Sequence, residues 1–319
     1  MITSAVMDGG TAIGGIEGEG GGEIPGSAVP AFTLRRPAGA PIPVLIAAPH
    51  GGKTYPPQLI ERMRDAEFAA LRLEDRHVDR LADAVASATG AALLVANAPR
   101  AMLDLNRATD DMDWSMVAEG APNGVRHSAA NRRARSGLGL VPRRLTGLGE
   151  IWKNRLDREE LEARIAGVHA PYHAALAGAL EDLRDRWGAV LLIDLHSMPP
   201  LATRPGEQRP GEFVIGDRFG ASCQHRLVRS AFAFFERHDR VALHNRPYAG
   251  GYVLDRHALP ARGIHALQIE VCRTSYLDAR FAEPSGRFAG VARTLAGLVR
   301  ALASEVADMG GARLPLAAE

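Results

Sequence analysis

His50 follows the apolar run Ile42–Ala48, and His196 follows the apolar run Ala189–Leu195. Glu270 lies inside a third, mostly apolar run, Ala266–Val271. A carboxylate in such a run is costly unless it is paired or functional. Two histidines and an acid are what a catalytic zinc site needs. Such a site commonly takes two His and one carboxylate and leaves a fourth position for water. The ligand carboxylate could come from Glu74 or Asp75, which lead into a helical pattern starting near Val78. Glu270 would then be the general base that takes a proton from water and returns it to a leaving amine.

Blander roles compete. A lone His after a strand is more often a hydrogen-bonded structural residue. Glu74 and Asp75 could simply favour the positive end of the following helix. Glu270 could pair with Arg273. His77, His173, His244, His257 and His265 are rival ligands, and His173, beside Tyr172 on a helical pattern, reads as packed or surface. Asp194 could orient the imidazole of a ligand His or cap backbone amides.

The elements that must position these residues alternate between strand and helix. Strands are expected at Ile42–Ala48, Ala91–Ala96, Ala189–Leu195, Phe213–Gly216, Val241–His244 and Ala266–Val271, with a short apolar run at Ala101–Leu105. Helices are expected at Pro57–Leu73, Val78–Thr89, Leu227–Arg237 and Phe288–Val306. Arg158–Trp187 has helical spacing throughout, interrupted at Pro171, which predicts two helices or a kinked one. The alternation predicts an α/β fold: a single domain built on a mixed, largely parallel sheet with helices on both faces. In such sheets ligands bind beyond the carboxyl ends of the strands, where His50 and His196 fall.

Composition narrows the class. The chain has 319 residues with 46% hydrophobic and 24% charged residues, ample for a core. A net charge of +1 argues against a generic polyanion binder. Two cysteines exclude a disulfide scaffold and a Cys-rich zinc module. No apolar run approaches the ~18 residues of a membrane helix, so a soluble, cytoplasmic protein is expected. Residues 1–29 hold nine glycines, and no basic residue precedes Arg35. They lack the early charge and apolar block of a secretory signal and read as a flexible tail. Residues 30–319 form the expected catalytic domain.

A set of ordered motifs adds to this reading. They are Pro49-His50-Gly51-Gly52, Glu74-Asp75-Arg76-His77-Val78-Asp79, Leu103-Asp104-Leu105-Asn106-Arg107, Pro171-Tyr172-His173, Ile193-Asp194-Leu195-His196-Ser197-Met198-Pro199, Gly216-Asp217-Arg218-Phe219-Gly220-Ala221, Pro247-Tyr248-Ala249-Gly250-Gly251 and Gln268-Ile269-Glu270. Together, over about Val44 to Asp278, the chain resembles the N-formylglutamate amidohydrolase family. The resemblance implies a phosphorylase/hydrolase-like, zinc-carboxypeptidase-like fold with one zinc ion per chain. It also implies hydrolysis of the amide of an N-acyl amino acid. The named reaction turns N-formyl-L-glutamate and water into formate and L-glutamate, a late step of histidine degradation. By position, the resemblance makes His50, Asp75 and His196 the zinc ligands, with Glu74 as the alternative carboxylate, and Glu270 the catalytic carboxylate. Asn106-Arg107 resembles a pair that grips a substrate carboxylate.

A dicarboxylate substrate suits planar, bidentate arginine partners. Arg100, Arg107, Arg143, Arg144, Arg246 and Arg273 are available. Arg107 is the first choice. Arg143 and Arg144 follow, because the Gly-rich segment Gly137–Gly149 could form a flap. Most of Arg126–Arg144 reads as a solvated basic loop. No Phe, Tyr or Trp lies between Val117 and Leu148 to stack on bases, so no nucleic-acid partner is expected. The family would more often carry Ser or Ala than Gly51, and Asn rather than Cys272; neither position is a proposed ligand.

Overall fold

The computed structural model describes residues 18–122, 132–203 and 209–311. In chain order the strands are β1 (Glu19–Gly21), β2 (Phe32–Arg35), β3 (Val44–Ala48), β4 (Ala92–Ala96), β5 (Arg144–Leu145), β6 (Gly149–Glu150), β7 (Val190–Met198), β8 (Phe213–Gly216), β9 (Ala242–His244) and β10 (Ile264–Cys272). The helices are α1 (Pro57–Arg62), α2 (Ala66–Leu73), α3 (Val78–Thr89), α4 (Arg132–Arg135), α5 (Arg158–Arg164), α6 (Ala170–Trp187), α7 (His225–Arg237), α8 (Tyr252–His257), α9 (Arg273–Tyr276) and α10 (Phe288–Met309).

Eight strands form one sheet in the order β1-β2-β4-β3-β7-β10-β8-β9, and β5 with β6 makes a separate small hairpin. The central strands β4, β3, β7 and β10 run parallel. Antiparallel pairing enters at β1-β2, β2-β4 and β10-β8. This is the mixed, largely parallel sheet that the alternation predicts. The central strands are buried along their whole length, as near-continuous apolar runs require.

Successive side chains of a strand point to opposite faces. Leu191, Ile193 and Leu195 of β7, with Leu267 and Ile269 of β10, pack into a core with Leu81 of α3, Phe235 of α7 and Leu302 of α10. The alternate residues Val190, Leu192 and Ala266 face a second core built with Leu176 and Leu180 of α6. Asp194, His196, Gln268 and Glu270 belong to this second parity. They take over on that face toward the carboxyl ends of β7 and β10.

The expected helix Pro57–Leu73 is two helices. Met63 leaves the helical path to bridge Trp152, and the Asp65 side chain accepts from the Phe68 amide to cap the second. The run Ala101–Leu105 is buried but forms no strand; the Asp104 amide donates instead to the Leu140 carbonyl at 2.7 Å.

Arg158–Trp187 is one continuous rod whose middle, Ile165–His169, is a π-helical turn. Pro171 has no N–H to offer the carbonyl of Gly167, four residues back. That carbonyl accepts from the Glu23 amide at 2.8 Å instead. The expected tail boundary at Val29 therefore moves. Residues 1–17 lie outside the described residues, but β1 pairs with β2, and Ile24 is fully buried. Among the described residues no helix is long and apolar enough to cross a membrane.

Candidate active site

His50 stands two residues beyond β3, and Asp75 sits in the turn between α2 and α3. The two are tied through the backbone, with the Asp75 amide donating to the His50 carbonyl at 3.1 Å. The turn at His50 also needs Gly52, because a Cβ there would stand 2.0 Å from the Ala98 carbonyl oxygen. His196 comes from the carboxyl end of β7. The parallel register sets Glu270 of β10 directly beside it, and Gln268 beside Asp194.

His50, Asp75 and His196 are all buried, and their donor atoms lie within 4.8 Å of one another. His196 Nδ1 is 3.0 Å from Asp75 Oδ2 and 3.1 Å from His50 Nδ1; His50 Nδ1 is 3.4 Å from the same carboxylate oxygen. Each imidazole is held from behind. His50 Nε2 lies 2.7 Å from Asp104 Oδ1, and His196 Nε2 lies 2.9 Å from Asp194 Oδ2. A carboxylate that accepts a hydrogen bond from Nε2–H turns the Nδ1 lone pair inward and raises its basicity. The donor set is two imidazole nitrogens and a carboxylate oxygen, oriented by outer carboxylates. It fits a borderline-soft divalent cation such as zinc.

Glu74 is the neighbour that the site leaves out. Its carboxylate pairs with Arg76 at 3.0 Å and stands apart from the cluster. Asp75 Oδ1 instead accepts from Ser197 Oγ at 3.2 Å and lies 3.5 Å from Arg273.

The electrostatics follow from these contacts. Burial raises the Asp75 pKa, but the His196 and His50 imidazoles beside it outweigh burial and hold the carboxyl well below its usual range. Burial likewise raises Asp104, and Arg100, Arg107 and His50 outweigh it. Burial works to lower His196, while Asp194, Asp75 and Glu270 together hold it well above the usual histidine range. Glu270 goes the other way. Burial is the largest influence, and its pKa is pushed up to about 7. Its Oε1 accepts from Gln268 Nε2 at 2.9 Å. Arg273, the pairing partner considered for it, is turned to Ser197 and the Glu74 carbonyl.

These residues line a cleft of about 380 Å³ together with Arg72, Arg100, Arg107, Arg133, Arg273, Asn106 and Tyr248. Arg100 is anchored to Asp104 at 2.9 Å. Arg107 is braced by the carbonyls of Leu138 and Asn106 at 3.0 and 2.6 Å. The Asn106 amide is spent on the framework: Oδ1 accepts from the Val253 amide at 2.9 Å, while Nδ2 reaches Gln268 Oε1 at 3.4 Å and Asp194 Oδ2 at 3.5 Å. Gly251 is required beside it, since a Cβ there would meet Asn106 Oδ1 at 2.5 Å.

Arg143 and Arg144 are not brought to the cleft. Arg143 is held by Asp113 at 2.7 Å and Glu150 at 2.9 Å, and Arg144 by Glu150 at 2.6 Å, across the β5–β6 hairpin. Of the segment Gly137–Gly149 expected as a flap, Leu138 touches the cleft. Residues 123–131 of the basic stretch lie outside the described residues. Sequence reasoning passed over Asp104, Gln268 and Arg133. Asp104 carried a signal, a carboxylate inside the apolar run Ala101–Leu105.

The model of the N-formylglutamate amidohydrolase family matches residues 42–277. Among curated proteins, the N-formylglutamate deformylase of Pseudomonas aeruginosa is 28% identical over 242 residues, 74% of this chain and 83% of the relative. That of Pseudomonas putida is 29% identical over 243 residues, 74% and 82%. Among solved structures, the N-formylglutamate amidohydrolase from Ralstonia eutropha JMP134 superposes with a TM-score of 0.77 at 33% identity, covering 88% of this chain and 99% of that one. A gene product of Agrobacterium tumefaciens shares the fold, with a TM-score of 0.61 at 20% identity over 86% of this chain and 96% of that one.

Proposed function

The chain belongs to the N-formylglutamate amidohydrolase family, and from that premise we propose that it hydrolyses the amide of an N-acyl amino acid. The preferred substrate is N-formyl-L-glutamate, giving formate and L-glutamate. His50, Asp75 and His196 would hold one zinc ion. A zinc ion there supplies Lewis acidity, polarising the acyl carbonyl and acidifying water.

The protein's own residues carry the rest. Glu270 takes a proton from the attacking water and passes it to the leaving nitrogen. A carboxyl raised to about 7 suits both halves of that transfer near neutral pH. Gln268 occupies Oε1 of Glu270, leaving the other oxygen for the proton. Arg107 receives a substrate carboxylate, its guanidinium already fixed by backbone carbonyls. A cleft of about 380 Å³ lined by arginines suits a small anionic ligand.

The observation that carries this reading is the convergence of His50 and Asp75 on the rung of the sheet where His196 stands beside Glu270. The test is glutamate release from N-formyl-L-glutamate by purified protein, with and without a chelator. Release that the chelator stops and zinc restores is expected. No release from zinc-loaded protein would remove the named substrate, and N-acetyl and peptidyl analogues would then define the acyl group. Release indifferent to the chelator would remove the metal.

A further inference from the structure

The segment Asp104–Arg107 carries Asn106 and Arg107 into the cleft, and it has no strand of its own to hold it. Its metal-side anchor is Asp104, on His50. On the opposite side lie two buried histidines outside the cluster at the cleft. His169 Nε2 is 2.9 Å from the Arg107 carbonyl, and His173 Nε2 is 3.0 Å from the Leu105 carbonyl. A carbonyl only accepts, so both Nε2 atoms carry protons. His173 Nδ1 must then accept, and it does so from His257 Nε2 at 2.9 Å. The relay runs in one direction: His257 donates to His173, which donates to Leu105.

The helix is built to deliver this pair. At the end of the π turn the Ala170 amide reaches back five residues to the Ile165 carbonyl. His169 closes that turn, and His173 follows one turn later on the same face, their ring centroids 4.4 Å apart. Tyr252, which follows the Gly251 that abuts Asn106, packs against both rings. Apolar side chains would fill the same space but leave two buried carbonyls unpaired.

We propose that His169 and His173 are positioning residues for substrate binding. By donating to the carbonyls on either side of Asn106, they fix the peptide that aims Arg107 at the substrate carboxylate. This rests on the hydrolase reading given above. It predicts lost ground-state binding rather than lost chemistry.

The test compares His169→Leu with His169→Gln, whose amide nitrogen can replace Nε2 as donor, and likewise at His173. Metal content, kcat and KM are read with N-formyl-L-glutamate. His265→Leu serves as control, a buried histidine of β10 far from this segment's hydrogen bonds. The Leu variants should keep their metal, raise KM about tenfold or more and change kcat less than about threefold. The Gln variants should return KM to within about threefold of wild type, and the control should leave KM unchanged. If His169→Leu does not fold, His169→Asn, whose shorter amide falls short of the carbonyl, takes its place against His169→Gln. An unchanged KM, or no recovery by glutamine, overturns the positioning role while wild-type turnover keeps the hydrolase reading intact. A wild type inactive on every N-acyl amino acid overturns that reading, and this inference with it.

Discussion

Two groups of buried histidines flank the segment Asp104–Arg107, and they differ in what their Nε2 atoms face. His50 and His196 hand their Nε2 atoms to Asp104 and Asp194 and turn their Nδ1 atoms onto Asp75. His169 and His173 hand theirs to backbone carbonyls. Among the described residues, no carboxylate is in ion-pair or hydrogen-bond contact with either of the latter. His196 is held well above the usual histidine range, its carboxylates outweighing burial. Burial instead pushes His173 down to about 2 and His257 to about 3. Depth of burial is alike in the two groups, so what accepts from Nε2 separates the imidazoles of the candidate metal cluster from neutral structural donors.

The comparison breaks most visibly at the metal. His196→Ala should abolish turnover and bring zinc content well below one per chain, whereas His173→Gln should leave zinc content at wild-type level. Equal zinc content in the two proteins, measured by atomic absorption, would erase the distinction. Glu270→Gln should bound the effect from the other side. It should keep its metal and lose at least about a hundredfold in kcat, the scale of general-base catalysis; an active variant would take Glu270 out of the reaction.

A subtler cut is Asp104→Asn, which retains the ligands but weakens the grip on His50 Nε2. Metal affinity should fall about 10- to 100-fold, read by competition with a chromogenic chelator. The smallest effect concerns stability against pH. His173 and His257 are bases whose folded pKa is depressed, so the native state keeps them neutral while the unfolded chain protonates below about 6.5. Their stabilisation is complete above that pH and is lost as pH falls toward about 3. Urea unfolding of metal-free protein between pH 7 and 5 should therefore lose less stability in His173→Gln than in wild type, by about 1 kcal/mol per pH unit. Parallel pH profiles would mean that His173 is already charged in the fold.

How much of this was legible depended on whether a residue's partner was near in sequence. His50, His196 and Glu270 could be found because apolar runs stop or are interrupted there, whereas the register that sets His196 beside Glu270 is a property of the β7–β10 pairing. The residues alone left Glu74 and Asp75 open, and the preference for Asp75 came from the resemblance; the turn into α3 ties the Asp75 backbone to His50. Asp104 interrupts the apolar run Ala101–Leu105, but nothing in that run points to His50 as its partner. Its amide pairs with Leu140, 36 positions away, a loop contact that periodicity does not report. Arg143 was equally opaque, since Asp113, which holds it, lies 30 residues upstream. Residues 18–29 look like part of a Gly-rich tail by composition. What orders them is the pairing of β1 with β2, the buried Ile24 and the Gly167 carbonyl that Pro171 leaves free, none of which composition reports.

The shared rung of β7 and β10 also sets how this gene can change length. Glu270 reaches the cleft only while its position along β10 has the same parity as His196 along β7. One codon inserted or deleted between Ile264 and Glu270 would swing the carboxylate into the apolar packing of α3, α7 and α10 and send Ile269 into the cleft. The β5–β6 hairpin carries no such constraint. Length variation among descendants of this chain should gather there, and strand β10 should keep its count.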